Sequence, residues 1–296
     1  MPPTVAPHSR RHRSLALSLV ALGVTVLLLS PTHAGSQPSP AGAGPTLAVE
    51  DTMHTEVPEV LVKAPRVTLD EILDRVARGE ARRDSALHDV SFTATFRVVR
   101  NPASAKPELF METVARVYRK KPLKLRVVTM RRWEAKPSKH PEKNDDNVEF
   151  SPSTEEEVVN FAFKPEARRD YRYHIEGRDL LGDHLIYRIA FEPRSRLGEA
   201  NPGGLVWVDT RDFVIVREEL DFSQSPAPLI LKGIDRAVIE RQQVGDHWVL
   251  RRLLMRASFT VPIPRFGRAF DVAIQYDDYK INQGIDDALF AKAAKP

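Results

Sequence analysis

The chain contains no cysteine. Disulfides, thiolate metal sites, a cysteine nucleophile and a lipidated N-terminal cysteine are therefore all excluded, and stability has to come from an apolar core. Catalytic signatures are missing too. There is no Gly-x-Ser-x-Gly elbow, no His-Glu-x-x-His zinc helix, no phosphate-binding Gly-x-x-x-x-Gly-Lys loop and no dinucleotide glycine fingerprint. The nine histidines are scattered. His174 and His184 lie on neighbouring predicted strands and could meet, but no carboxylate accompanies them at metal-ligand spacing. Asp277-Asp278 reads as a charged strand end, and Glu155-Glu156-Glu157 as a charge run on a loop. The chain is read as non-catalytic, with no cofactor and no metal.

An excess of one charge is also lacking. The formal charge is +4, but three of the 44 basic residues (Arg10, Arg11, Arg13) lie in the first thirty-four residues, which hold no acid. The remainder is within one charge of neutral and gives no reason to expect nucleic acid or a polybasic membrane surface. Only one long apolar run occurs, Leu15 to Leu29. With the arginines before it and Thr32-His33-Ala34 after it, residues 1–34 read as a secretory signal peptide. The alternative is an uncleaved inner-membrane anchor, since the run is near the lower limit for a spanning helix. The expected location is periplasmic or secreted.

Beyond residue 34 the chain reads as a tail, one helix and many strands. Residues 35–67 are rich in Pro, Gly, Ala and Ser and read as a flexible linker. Thr68-Leu69-Asp70-Glu71 has capping-box spacing, and Leu69, Ile72, Leu73 and Val76 fall on one helical face. Gly79 is expected to weaken this helix, which should fray near Asp84. From Val90 the period becomes two. Val90, Phe92, Ala94, Phe96 and Val98 share one face of a strand, with Ser91, Thr93, Thr95 and Arg97 on the other. Further strands are expected at 112–119, 123–130, 171–176, 185–191, 205–208, 213–222, 234–242, 248–259 and 270–276. Short turns join most of them, and no helical pattern alternates with them. The predicted fold is mainly β with α: a curved antiparallel half-barrel of about ten or eleven strands, with the N-terminal helix covering its concave side. Residues 68–296 form this domain, with a polar insertion at 134–157 longer than an ordinary hairpin loop.

Gly204-Leu-Val-Trp-Val-Asp209 and Phe213-Val-Ile-Val-Arg-Glu-Glu219 resemble the central hairpin of the LolA/LolB-like lipoprotein-carrier superfamily, with the N-terminal domain of RseB/MucB-type regulators more distant. Ile239-Glu240 with Trp248-Val249-Leu250 resembles the next hairpin of that family. Tyr276-Asp-Asp-Tyr-Lys-Ile-Asn282, with Gly284-Ile285-Asp286-Asp287-Ala288-Leu289-Phe290 after it, resembles its closing segment. The resemblance spans roughly residues 68–290.

It implies an apolar cavity that shields acyl chains crossing an aqueous compartment, each hidden methylene being worth about 0.8 kcal/mol. Phe92, Phe96, Val98, Leu205, Trp207, Val272 and Ile274, chosen by face, are the candidate cavity residues. They would equally form a dry core. The resemblance also implies a buried arginine that holds a lid, for which Arg97 and Arg116 lie on predicted strands. The expected partners are acyl chains of lipoproteins or another lipid, bound by a monomer. The alternative role is a sensor of lipidated or misfolded envelope proteins, which would add an envelope protein partner.

Overall fold

The computed structural model describes residues 67–101, 106–135, 159–181, 184–195, 201–225, 231–263 and 267–291. The expected leader, the linker up to residue 66 and most of the polar insertion lie outside the described residues. Among the described residues no helix is long and apolar enough to cross a membrane.

Helix α1 (Leu69–Ala86) starts where the capping box predicts: the Glu71 N–H donates to Thr68 Oγ1 at 3.2 Å. Ile72, Leu73 and Val76 are buried, each worth about 1.5–3 kcal/mol. The helix runs past Asp84, and Gly79 is not its weak point. A Cβ at Gly79 would sit 2.2 Å from the Phe213 carbonyl oxygen and 2.5 Å from that of Asp212. The missing side chain is what lets α1 lie against the backbone of a sheet turn.

Among the described residues ten strands come after the helix: β1 (Asp89–Asn101), β2 (Glu108–Lys120), β3 (Lys124–Glu134), β4 (Tyr171–Leu181), β5 (His184–Pro193), β6 (Gly203–Asp209), β7 (Val214–Asp221), β8 (Leu231–Val244), β9 (His247–Ile263) and β10 (Gly267–Ile281). They form one open antiparallel sheet in the order β3-β2-β1-β10-β9-β8-β7-β6-β5-β4. The first residue of the expected insertion, Glu134, is the last of β3. Every neighbouring pair is also consecutive in sequence except β1 and β10, whose register sets Phe96 opposite Ile274 and Val98 opposite Val272.

The sheet is curved. Helix α1 touches β7, β9 and the edge strand β4, yet β9 and β4 are five strand spacings apart, roughly 24 Å on a flat sheet. At 18 residues α1 is about 27 Å long, so it reaches both by lying across the strands on the inner face. The two faces differ accordingly. The inner face carries one continuous apolar cluster running from α1 through β1, β2, β5 to β10. The outer face is stitched by cross-strand ion pairs. Arg97 meets Glu112 at 2.7 Å, Arg252 meets Glu240 at 2.6 Å, and Arg256 grips both oxygens of Asp271 at 2.6 and 2.8 Å.

Candidate functional site

Period-two alternation puts Phe92, Phe96 and Val98 on the inner face of β1, and the β1–β10 register places Val272 and Ile274 beside them. All five are buried in the inner cluster. Phe92 packs against Tyr276 and Tyr279, with ring centroids 5.7 and 5.2 Å away. Leu205 and Trp207 lie elsewhere. They belong to a second, smaller cluster with Ile186, Val214, Val216 and Trp248, and Trp207 stacks under the Arg217 guanidinium at 5.0 Å. The structure thus brings five of the seven candidates together and leaves two on the other side of the sheet. The cause is local: Val206, Trp207, Val208 and Asp209 of β6 are all buried, so alternation there does not tell inside from outside.

His174 and His184 do not meet. His174 lies opposite Ala190 and His184 opposite Leu181, which separates them by roughly 20 Å along the strands. Each has its own carboxylate: His174 Nε2 is 2.8 Å from Glu176 and His184 Nδ1 is 2.9 Å from Asp209. Asp209 also accepts the Arg211 and Asp212 N–H groups, an Asx-type closure of the β6–β7 turn. Arg97 is partly exposed on the outer face, and Arg116 donates to the hydroxyls of Thr93 and Ser91. Neither is the buried arginine that the resemblance implies.

The buried arginine on the inner face is Arg241, on β8. Its Nη1 donates to Glu80 Oε1 of α1 at 2.6 Å and to the Ile215 carbonyl of β7 at 2.8 Å. The Ile215 N–H donates to the same Glu80 oxygen at 2.7 Å. Arg83, one turn along α1, lies 3.3 Å from Glu80 Oε2 and donates to the Trp248 carbonyl of β9 at 3.3 Å. Three elements, α1, β7 and β8, therefore meet at one carboxylate that is shut off from solvent, and Arg83 ties it to β9. Burial pushes the Glu80 pKa up, but the Arg241 and Arg83 charges outweigh it and hold Glu80 below its ordinary value.

A second acid completes the cluster. Glu218 stands on the inner face of β7 opposite Val206, and it is 0% exposed. Ile239 faces it across β8, which makes Arg241 its diagonal neighbour on the same face. Neither carboxyl oxygen has a hydrogen-bond partner among the described residues. Burial drives its pKa well above the ordinary value; Arg241 opposes this and the Glu80 charge adds to it. Burial therefore favours its protonated form.

A cleft of about 470 Å³ opens beside this cluster, between the C-terminal half of α1 and the segment after residue 159. Glu80, Ala77 and Ala81 line one wall, with Asn160, Phe163 and Lys164 on the other. Phe163 is buried and packs edge-on against Phe191 of β5 at 5.5 Å, so the far wall is anchored in the apolar cluster. Sequence patterning had no means of finding the charged cluster. Glu80 and Arg241 are 161 residues apart in the chain and meet only by tertiary packing. Like Glu218, each resembles an ordinary surface charge until the sheet curls.

No protein-family model and no curated protein matches this chain. Solved structures do. The chain is similar to a DUF1329 family protein from Desulfovibrio piger, at 14% identity over 75% of this chain and 97% of that one, with a TM-score of 0.42. It is similar to a LolA superfamily protein from Nitrosomonas europaea, at 13% identity over 76% and 98%, with a TM-score of 0.30. It is also similar to MucB, solved in complex with MucA(peri), at 11% identity over 73% and 100%, with a TM-score of 0.22.

Proposed function

We propose that this chain is an exported, non-catalytic binder of lipoprotein acyl chains or of another lipid, and that the lipid lies between α1 and the inner face of the sheet. The observation that carries the reading is the apolar inner layer of an open sheet, spanned by the 18-residue helix α1. Phe92, Phe96, Val98, Val272 and Ile274 form its β1–β10 wall. Such a layer suits acyl chains because transfer from water is favourable by about 0.8 kcal/mol per methylene and needs no directed chemistry.

Native mass spectrometry with lipid extraction, on protein purified from its own host's envelope, tests this. Co-purifying acyl chains or lipoprotein, lost in a folded Phe96→Glu variant, are the expected result. A clean lipid-free mass that does not shift when lipid or lipoprotein is added would overturn it.

The sheet edge favours the sensor alternative, in which an envelope protein is recognised. Edge strand β3 and its turn expose Leu123 (90%) and Met130 (64%) beside Lys124, Arg131 and Arg132. An open sheet edge with exposed apolar side chains offers a template for strand addition, and its cations favour an acidic partner segment. Met130→Lys should abolish capture of such a partner while leaving lipid binding unchanged.

A further inference from the structure

Glu80 fills a site that the sheet itself builds. Remove the helix residue in thought, and what remains on the inner face is the Arg241 guanidinium, the Ile215 N–H and the Glu218 carboxyl. The first two reach Glu80 Oε1 at 2.6 and 2.7 Å. The third faces the same space from the same strand as Ile215, buried and with both oxygens free of hydrogen bonds among the described residues. An Arg, a backbone N–H and a neutral acid are donors, and together they make a receptor for a carboxylate. Apolar side chains surround them: Val206, Val208, Ile215 and Ile239 are all buried in the inner cluster. Of these groups only Glu80 lines the cleft.

We propose that this is the head-group site for a carboxylate-headed amphiphile, a free fatty acid being the simplest, and that Glu80 is its internal stand-in. The ligand's carboxylate replaces that of Glu80 on Arg241 and Ile215, and its chain runs into the apolar layer. The helix carries Glu80 and Arg83 together, so the pair leaves as a neutral unit and the sheet's Arg241 keeps an anionic partner throughout. The Glu218 carboxyl, whose oxygens have no hydrogen-bond partner among the described residues, faces the ligand's second oxygen. This inference rests on the lipid-binding reading above and adds the chemical class of the head group.

The test uses three ligands of one chain length: a saturated fatty acid, the corresponding alcohol and the corresponding alkyl phosphate, titrated into the lipid-free full chain at neutral pH. The acid should bind about tenfold or more tighter than the alcohol, the advantage of charge-assisted hydrogen bonds to a buried arginine. Glu80→Gln removes the internal competitor and should tighten the acid about tenfold more than it tightens the alcohol. Arg241→Met should erase the preference for the acid over the alcohol. If that single variant fails to fold, the double variant Glu80→Gln with Arg241→Met, which removes both partners of the central ion pair, takes its place. Acid and alcohol bound equally, an acid preference that survives loss of Arg241, or a preference for the phosphate over the carboxylate would each overturn the head-group site while sparing the lipid-binding reading. Binding of none of the three overturns both.

Discussion

At the residue scale, two buried glutamates on one arginine make opposite demands on pH. Glu80 has its pKa depressed in the folded chain. Its contribution to stability is present above its ordinary value of 4.5 and is lost as the pH falls through the depressed value. Glu218 has its pKa raised, so its contribution is present below 4.5 and is lost as the pH rises through the raised value. Stability from this cluster should therefore be highest near the ordinary carboxylate value and decline on both sides. Urea midpoints measured across that range should show the dome for the native chain. Glu218→Gln should flatten the alkaline limb only; an unchanged alkaline limb would show that Glu218 does not stay neutral in the fold. None of this was legible in the sequence. Each of these residues sits among strand or helix polars, and what distinguishes them is the curl that carries α1 over β7 and β8.

At the element scale, the sequence is much more transparent. The capping box placed the start of α1, and alternation located all ten strands, because a half-buried strand writes its two faces directly into the residue order. Alternation failed where both faces are buried, as in β6, and where a bulge changes the phase, as between Trp207 and Val208 on pairing with β7. Gly79 shows the other limit. Helix propensity marks it as a weak point, whereas packing makes it the point of closest approach to the Asp212 and Phe213 backbone. Gly79→Ala should gain about 1 kcal/mol of helix propensity and lose more by forcing α1 off the turn, since overpacking costs about 1–3 kcal/mol. A lowered urea midpoint is the expected outcome, and a raised one would mean that α1 does not lie this close.

On the scale of the whole molecule, the sheet is amphipathic: apolar inside, ion-paired outside, and open at β3 and β4. A closed barrel of this length would hide its interior permanently, whereas an open sheet with one helix across it exposes a large apolar surface whenever that helix moves. Composition foreshadowed this only in part. Near-neutral charge and the absence of cysteine fit a chain that relies on its core. The order of the strands is not in the composition, because period two names a face and never a neighbour.

Strand order also governs how the chain is made. Strand β10, the last to be synthesised, pairs with β1 on one side and β9 on the other. Until it emerges, the growing chain can hold only two separate meanders, β1–β3 and β4–β9. Their closing step joins segments nearly two hundred residues apart, the slowest kind of contact to form. A chain ending at Ile263 should therefore behave as two independently protease-sensitive pieces with bare edges at β1 and β9, prone to self-association. Addition of residues 264–296 should fuse them into one cooperative unit.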